Sequence, residues 1–415
     1  MSGVPTLAYV YHPRSFATMS LVETARGRCE VLWVVDTSDP QAASMTRLLQ
    51  RFGTCVDVAG LDLDAAAAAV ARHEPTALLA LADDCLVFAA DLAERLGLAF
   101  TSPELARRYT DKHEQRLALA RGGLDVPRQW VISPDSSTVF EDIAREAHFP
   151  AVLKPLRGEA SRDTLPVASF DELVSLWHSE GFDVATRPFV LEEYIRDSPL
   201  PLAGEGFAGY VSVESVVSNG IVSHLAINGR MPPAYPFRET GFFIPAELEP
   251  DLAVQVLDVA ERAAQSLGVH LGCLHTEIKL TPTGPVVIEV NGRIGGGVPE
   301  MLEAATGIDL LGVAFDLALG HDVVLERPES QRVAYLFYVQ SPSGMTHVTA
   351  VEGLDDLRAT PGVAEVTLNR GPGHDVSWRF GNHGHVFSVF GTCADHDELR
   401  RIATLIPQVV RIIGS

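Results

Sequence analysis

Two alternating segments, HTEIKLT and PVVIEVN, flank Pro282-Thr283-Gly284 and constrain the chain more than any other feature in it. Apolar and polar residues alternate through both, the period of a strand with one face in a core. A glycine supplies the positive φ that closes a three-residue hairpin loop. With those three residues as the loop, Thr281 opposes Pro285, Glu277 faces Glu289 and His275 faces Asn291, all on one side of the ribbon. Carboxylates placed directly opposite repel by on the order of a few tenths of a kcal/mol. A hard divalent cation removes the conflict, and two carboxylates beside an amide oxygen suit Mg²⁺ held partly by substrate phosphates. An exposed sheet face with both carboxylates solvated would read the same way, and a loop of another length would break the register.

Upstream, apolar runs over 6–10, 29–35, 55–58 and 77–82 alternate with amphipathic helices over 42–52 and 63–73, which predicts an open parallel sheet. The first strand is followed by YHPRS and not by GxGxxG, which argues against a dinucleotide site. A helix over 110–122, strands over 130–132 and 151–154, and a helix near 140–147 come next. From 189 to 291 the chain is β-rich, with one long helix over 251–267 and a Pro/Gly-rich segment, 198–209, expected to be a flexible loop. Short strands and a final amphipathic helix fill 331–415. The expected domains are therefore 1–108, 109–190, 191–330 and 331–415, an α/β unit followed by α+β units.

Lys154 ends the apolar run FPAVLK and is followed by Pro155, Gly158 and Ser161. Strand, lysine and glycine loop in that order suit a phosphate, through one point charge, backbone N–H groups and a hydroxyl. An ordinary surface turn has the same composition. The strand FVLEEYI offers an apolar slot that an adenine needs, and is equally a plain amphipathic strand. Arg293, two residues past Asn291, could grip a phosphate or carboxylate with two parallel hydrogen bonds, or anchor its own loop.

The chain carries 54 acidic against 32 basic residues, a formal charge of −22, with no long Lys/Arg run. That field disfavours nucleic acid and anionic membranes as partners. No apolar stretch approaches the roughly 18 residues of a membrane span, and no secretory leader is visible at the N-terminus. Five cysteines, odd in number and never CxxC-spaced, suggest neither disulfides nor a zinc site. The expectation is a cytoplasmic protein with reduced thiols. His374, His383, His385 and His396 fit no metal-ligand spacing and are expected to be surface-loop residues.

Taken in order over about 110–320, the segments DK, FPAVLKP, FVLEEYI, FRETG, HTEIKLT and VIEVNGR resemble the ATP-grasp superfamily, and their wording is most similar to its L-amino-acid ligases. The resemblance implies an ATP-grasp fold behind a parallel-sheet domain, with a C-terminal α+β subdomain. It implies ATP and Mg²⁺ (or Mn²⁺) as cofactors, small amino-acid or amine substrates, a homodimer as one assembly open to it, and an acyl-phosphate route to a dipeptide-like amide. Carried over by motif, Lys112 and Lys154 would contact the phosphates, with Gly158 and Ser161 in the mobile loop. Glu192, Glu193, Tyr194 and Ile195 would form the adenine hinge. Glu277, Glu289 and Asn291 would hold the metal, Arg293 would stabilise the acyl phosphate or bind a carboxylate, and Glu239 would face the amino acid or a metal. The loop GEASRD departs from the glycine-richer pattern of such proteins, so its closure is expected to differ. The stretch 196–210 is longer than usual, which leaves the ribose-binding acid unnamed. The alternatives are an ATP-grasp carboxylase or purine-pathway ligase, and a nucleotide-binding regulatory protein without turnover.

Overall fold

The computed structural model describes residues 4–133, 137–179 and 187–415. Strands β1 (Thr6–Val10), β2 (Glu30–Val35), β3 (Thr54–Asp57) and β4 (Ala77–Leu79) form a sheet in the order β3-β2-β1-β4, every pair parallel. Its strands are apolar almost throughout because helices cover both faces. The helix Asp83–Leu96 leaves β4 directly and ends at Gly97, whose left-handed φ of 67° closes the last turn.

A small antiparallel sheet follows, from β5 (Gln129–Ile132), β6 (Ala151–Pro155), β7 (Leu165–Val167) and β8 (Phe189–Glu193), in the order β5-β8-β6-β7. Pairing of β6 with β8 sets Lys154 opposite Val190 and Val152 opposite Glu192, so Lys154 and Glu192 share one face. The helix expected over 110–122 is Lys112–Arg121, and a separate helix, Pro103–Thr110, which the sequence reading did not assign, precedes it. Asp111 ends the earlier helix and caps the later one by accepting from the backbone N–H groups of His113 and Glu114.

The large sheet takes β9 (Tyr210–Ser218), β10 (Ile221–Arg230), β11 (Gly241–Ile244), β12 (Gly272–Thr281), β13 (Gly284–Asn291) and β14 (Val333–Val339). A two-stranded ribbon pairs β15 (Val348–Glu352) with β18 (Arg411–Gly414), while β16 (Val363–Leu368) and β17 (Phe387–Cys393) extend the large sheet to the order β13-β12-β9-β10-β11-β14-β17-β16. The last block thus continues the main sheet. The helix Pro250–Leu267 packs beneath it in one core with the final helix His396–Val409. The segment 198–209 is no free loop: Phe207 packs on Phe243 with ring centroids 4.4 Å apart, and Ala208 N–H donates to the Arg230 carbonyl at 2.8 Å.

The hairpin β12–β13 differs in its turn from the sequence expectation. Two residues, Pro282 and Thr283, form the turn, and Thr281 pairs with Gly284 rather than with Pro285. That shift would put the carboxylates out of step, but a bulge intervenes. Ile278 pairs with Val287 and Glu277 with Glu289, so Ile288 is the extra residue that restores the facing pairs Glu277–Glu289 and His275–Asn291. The bulged Ile288 carbonyl accepts from Arg116, and on the outer edge of β13 the Gln115 side chain bonds both Val290 N–H and Val290 C=O at 2.8 Å. A side-chain amide there satisfies groups that a neighbouring strand would otherwise take.

Candidate active site

Two chambers meet at this hairpin. One, of about 390 Å³, is lined by Lys112, Lys154, Gly158, Ser161, Glu192, Glu193, Tyr194 and Ile195. The other, of about 380 Å³, is lined by Arg230, Glu239, Asn291, Arg293 and aromatic side chains including Phe242 and Tyr338. Glu277 and Glu289 line both. The bulge therefore sets two carboxylates on the boundary between two cavities.

In the first chamber Lys154 Nζ lies 2.6 Å from Glu192 Oε2, and Arg116 Nε lies 3.0 Å from Glu192 Oε1. Burial pushes the Lys154 ammonium below its ordinary pKa, a shift that the Glu192 charge partly offsets. Burial alone would raise the pKa of Glu192, yet Arg116 and Lys154 outweigh it and hold the carboxyl at about 2. Lys112 Nζ donates to the Gly158 carbonyl at 2.8 Å and stands 3.0 Å from Glu289 Oε1, which ties the loop 158–163 to the hairpin. Glu193 faces outward to His148 at 2.9 Å, while the Tyr194 hydroxyl donates to Asp197 at 2.6 Å. Asp197 also pairs with Lys279.

The second chamber is charged and mostly buried. Arg230, 2% exposed, pairs with Glu239 and lies 3.8 Å from Glu277 Oε1. His275 bridges the same network: Nδ1 is 2.5 Å from Glu214 Oε1, and Nε2 is 3.0 Å from Arg230 Nη2 and 3.6 Å from Glu277 Oε1. Burial would raise the Glu277 pKa, but His275 and Arg230 outweigh it and bring it to about 2. Arg293 is gripped by Asp83, whose Oδ2 is 2.6 Å from both Nε and Nη2, and stands 4.0 Å from Glu159.

The donors at the boundary suit a hard cation. Asn291 gives its Nδ2 to the His275 carbonyl at 3.4 Å, which leaves the amide oxygen for a ligand. Among the described residues no three acidic, His or Cys side chains gather into a self-sufficient cage. Two carboxylates and one amide oxygen leave coordination positions for phosphate oxygens and water, the arrangement Mg²⁺ favours.

The predicted residues divide between the chambers. Lys112, Lys154, Gly158, Ser161 and Glu192–Ile195 surround the first, Arg293 and Glu239 the second, and Glu277, Glu289 and Asn291 stand at or beside the boundary. The Glu192 side chain points into a buried salt-bridge cluster with Lys154 and Arg116, so only its backbone is open to a hinge role. His383 is exposed as expected, at the rim of the second chamber, whereas His385 lines that chamber half-buried and packs on Tyr338 at 4.7 Å. His396 is tied to the Pro245 carbonyl at 2.8 Å. Sequence reasoning missed Glu214, Arg230, Asp83 and Glu159. Glu214 carried a signal, as the polar position in step with Ser212 in YVSVESVV. Asp83 carried none, since its partner lies 210 residues away.

No family model matches the chain. It is 30% identical to carnosine synthase 1 of Gallus gallus over 291 residues, covering 65% of this chain and 30% of that protein. To the alanine–anticapsin ligase of Bacillus subtilis it is 26% identical over 245 residues, covering 55% of this chain and 50% of that protein. The chain thus spans half or less of the length of these relatives. Its fold matches the crystal structure of an L-amino acid ligase from Bacillus licheniformis with a TM-score of 0.77 at 20% identity, covering 100% of this chain and 99% of that one. No helix among the described residues is long and apolar enough to cross a membrane.

Proposed function

We propose that this chain, a member of the ATP-grasp superfamily that resembles its L-amino-acid ligases, joins a carboxylate to an amine while ATP is cleaved to ADP and phosphate. The observation that carries the reading is the position of Glu277 and Glu289 on the wall shared by a lysine-lined and an arginine-lined chamber. ATP would lie in the first chamber with its γ-phosphate at the boundary, and the acid to be activated in the second.

A carboxylate is a poor acyl donor, and phosphorylation supplies a leaving group. Lys112 and Lys154 would hold the phosphates, and Glu277, Glu289 and Asn291 would bind Mg²⁺. The metal, when bound, would neutralise charge on the transferring phosphoryl group. Arg293, oriented by Asp83, would take the oxygens of the acyl phosphate, and the amine would then attack the acyl carbon with release of phosphate. Tyr210, Phe237 and the phosphate loop border both chambers and would exclude water, which otherwise hydrolyses an acyl phosphate. Glu239, held by Arg230, is suited to an ammonium group of the second substrate.

Glu289→Gln tests the shared wall, because it is nearly isosteric and removes one anionic ligand. ADP formation with amino-acid mixtures should fall below about a tenth of wild type at saturating Mg²⁺ while the melting curve stays cooperative. Retention of wild-type turnover would contradict the assignment.

A further inference from the structure

The phosphate loop is held in a conformation its own sequence does not favour. Ala160, Ser161 and Asp163 have φ of 57°, 54° and 53°, the left-handed region in which a glycine would be at ease. Such strain persists only where surrounding structure imposes it. Here the brace is the segment Trp378–Gly384, which crosses from the C-terminal block. Asn382 N–H donates to the Ala160 carbonyl at 2.8 Å, His383 stands 3.7 Å from Glu159, and Arg379 stands 3.6 Å from Asp163. Gly381 sits so close to Ala160 that a Cβ would run into its carbonyl oxygen.

The Asn382 side chain reaches the other way. Its Nδ2 donates to Glu239 Oε2 at 2.9 Å, and its Oδ1 accepts from Glu239 N–H at 2.8 Å. Glu239 itself makes no hydrogen bond or ion pair to the loop. One residue therefore bonds the phosphate loop through its backbone and the acid of the second chamber through its side chain.

We propose that Asn382 is a positioning residue that couples closure of the phosphate loop to Glu239, so that order in one chamber favours order in the other. The inference rests on the reading of the two chambers as nucleotide and second-substrate sites. It gives a strap from the C-terminal block the task that glycines leave undone in GEASRD. With the strap attached the loop is closed; with Glu239 displaced, the strap and the loop loosen together.

Limited trypsinolysis, followed by mass spectrometry at the Arg162 bond, reads loop opening directly. Glu239→Ala, which removes the bond from Asn382 Nδ2, should speed that cleavage about fivefold, the effect of one net hydrogen bond, and Asn382→Ala, which also removes the bond to Glu239 N–H, should speed it at least as much. The double variant should be no faster than Asn382→Ala alone, as expected when the Glu239 side chain acts on the loop through Asn382. Glu239→Gln, which can still accept from Nδ2, should restore protection. If Asn382→Ala does not fold, Asn382→Asp, which loses the donor with little change of volume, takes its place in the cycle. Wild-type cleavage in Glu239→Ala, or multiplied effects in the double variant, would overturn the coupling. The readout needs no turnover. Failure of the wild type to bind a non-hydrolysable ATP analogue by calorimetry would instead strike the functional reading, with the loop cycle still measurable.

Discussion

Lys154 and Glu192 form an ion pair, 2.6 Å from Nζ to Oε2, between side chains only 10% and 6% exposed. Diagonal neighbours on one face of β6 and β8, they place an ammonium in the lysine-lined chamber with a carboxylate fixing its position. Such a buried pair is costly to break from one side, by about 3 to 5 kcal/mol, because the partner is left uncompensated.

Lys154→Ala should therefore weaken ATP-analogue binding at least tenfold, and should also lower the melting temperature. Arg116 still neutralises Glu192, which limits the stability loss but would not replace the proposed phosphate contact. Calorimetry beside thermal unfolding separates the two. Unchanged nucleotide affinity would remove Lys154 from the phosphate site.

The Glu192 carboxyl gives a pH dependence of definite sign. Its pKa is about 2 in the folded chain against an ordinary value of 4.5. A depressed folded pKa means stability present above pH 4.5 and lost as pH falls towards 2, on the order of 3 kcal/mol in all. Glu192→Gln should be less stable than wild type at pH 7, with the gap narrowing below pH 4.5. Urea denaturation at pH 7 and at pH 3.5 checks this; a gap of constant size would mean that the carboxylate charge is not what the cluster needs.

The hairpin shows what the sequence could and could not convey. Period-two alternation in HTEIKLT and PVVIEVN made the strands and the facing carboxylates legible. The turn was not: it has two residues, and the facing pairs survive only because Ile288 bulges out, in a run VVIEV with no glycine to mark a bulge. The lysines and the acidic pair lie on local patterns and could be read. Asp83, Asn382 and the left-handed loop residues could not, because each owes its place to contacts made far away in the chain. The helix Pro103–Thr110 went unread, while Lys112–Arg121, capped by Asp111, lay where the polar start of its pattern put it.

Arg293 is anchored by Asp83 on the side of the second chamber, away from the lysines. Arg293→Lys should leave ATP-analogue affinity within a few-fold of wild type while amide formation falls at least a hundredfold, about 2.7 kcal/mol of transition-state stabilisation. A lysine cannot keep the two contacts to Asp83 and offer a second pair of donors to an acyl phosphate. Parallel loss of nucleotide binding and activity would put Arg293 in the ATP site instead.

In the proposed reaction a substrate carboxylate attacks the γ-phosphate before the amine attacks the acyl carbon. Amino acids labelled with ¹⁸O in their carboxyl groups, supplied as a pool with ATP and Mg²⁺, report on that step directly. Inorganic phosphate should gain one ¹⁸O for every amide formed, with ADP as the other product. Amide formation accompanied by unlabelled phosphate, or by AMP and pyrophosphate, would contradict it.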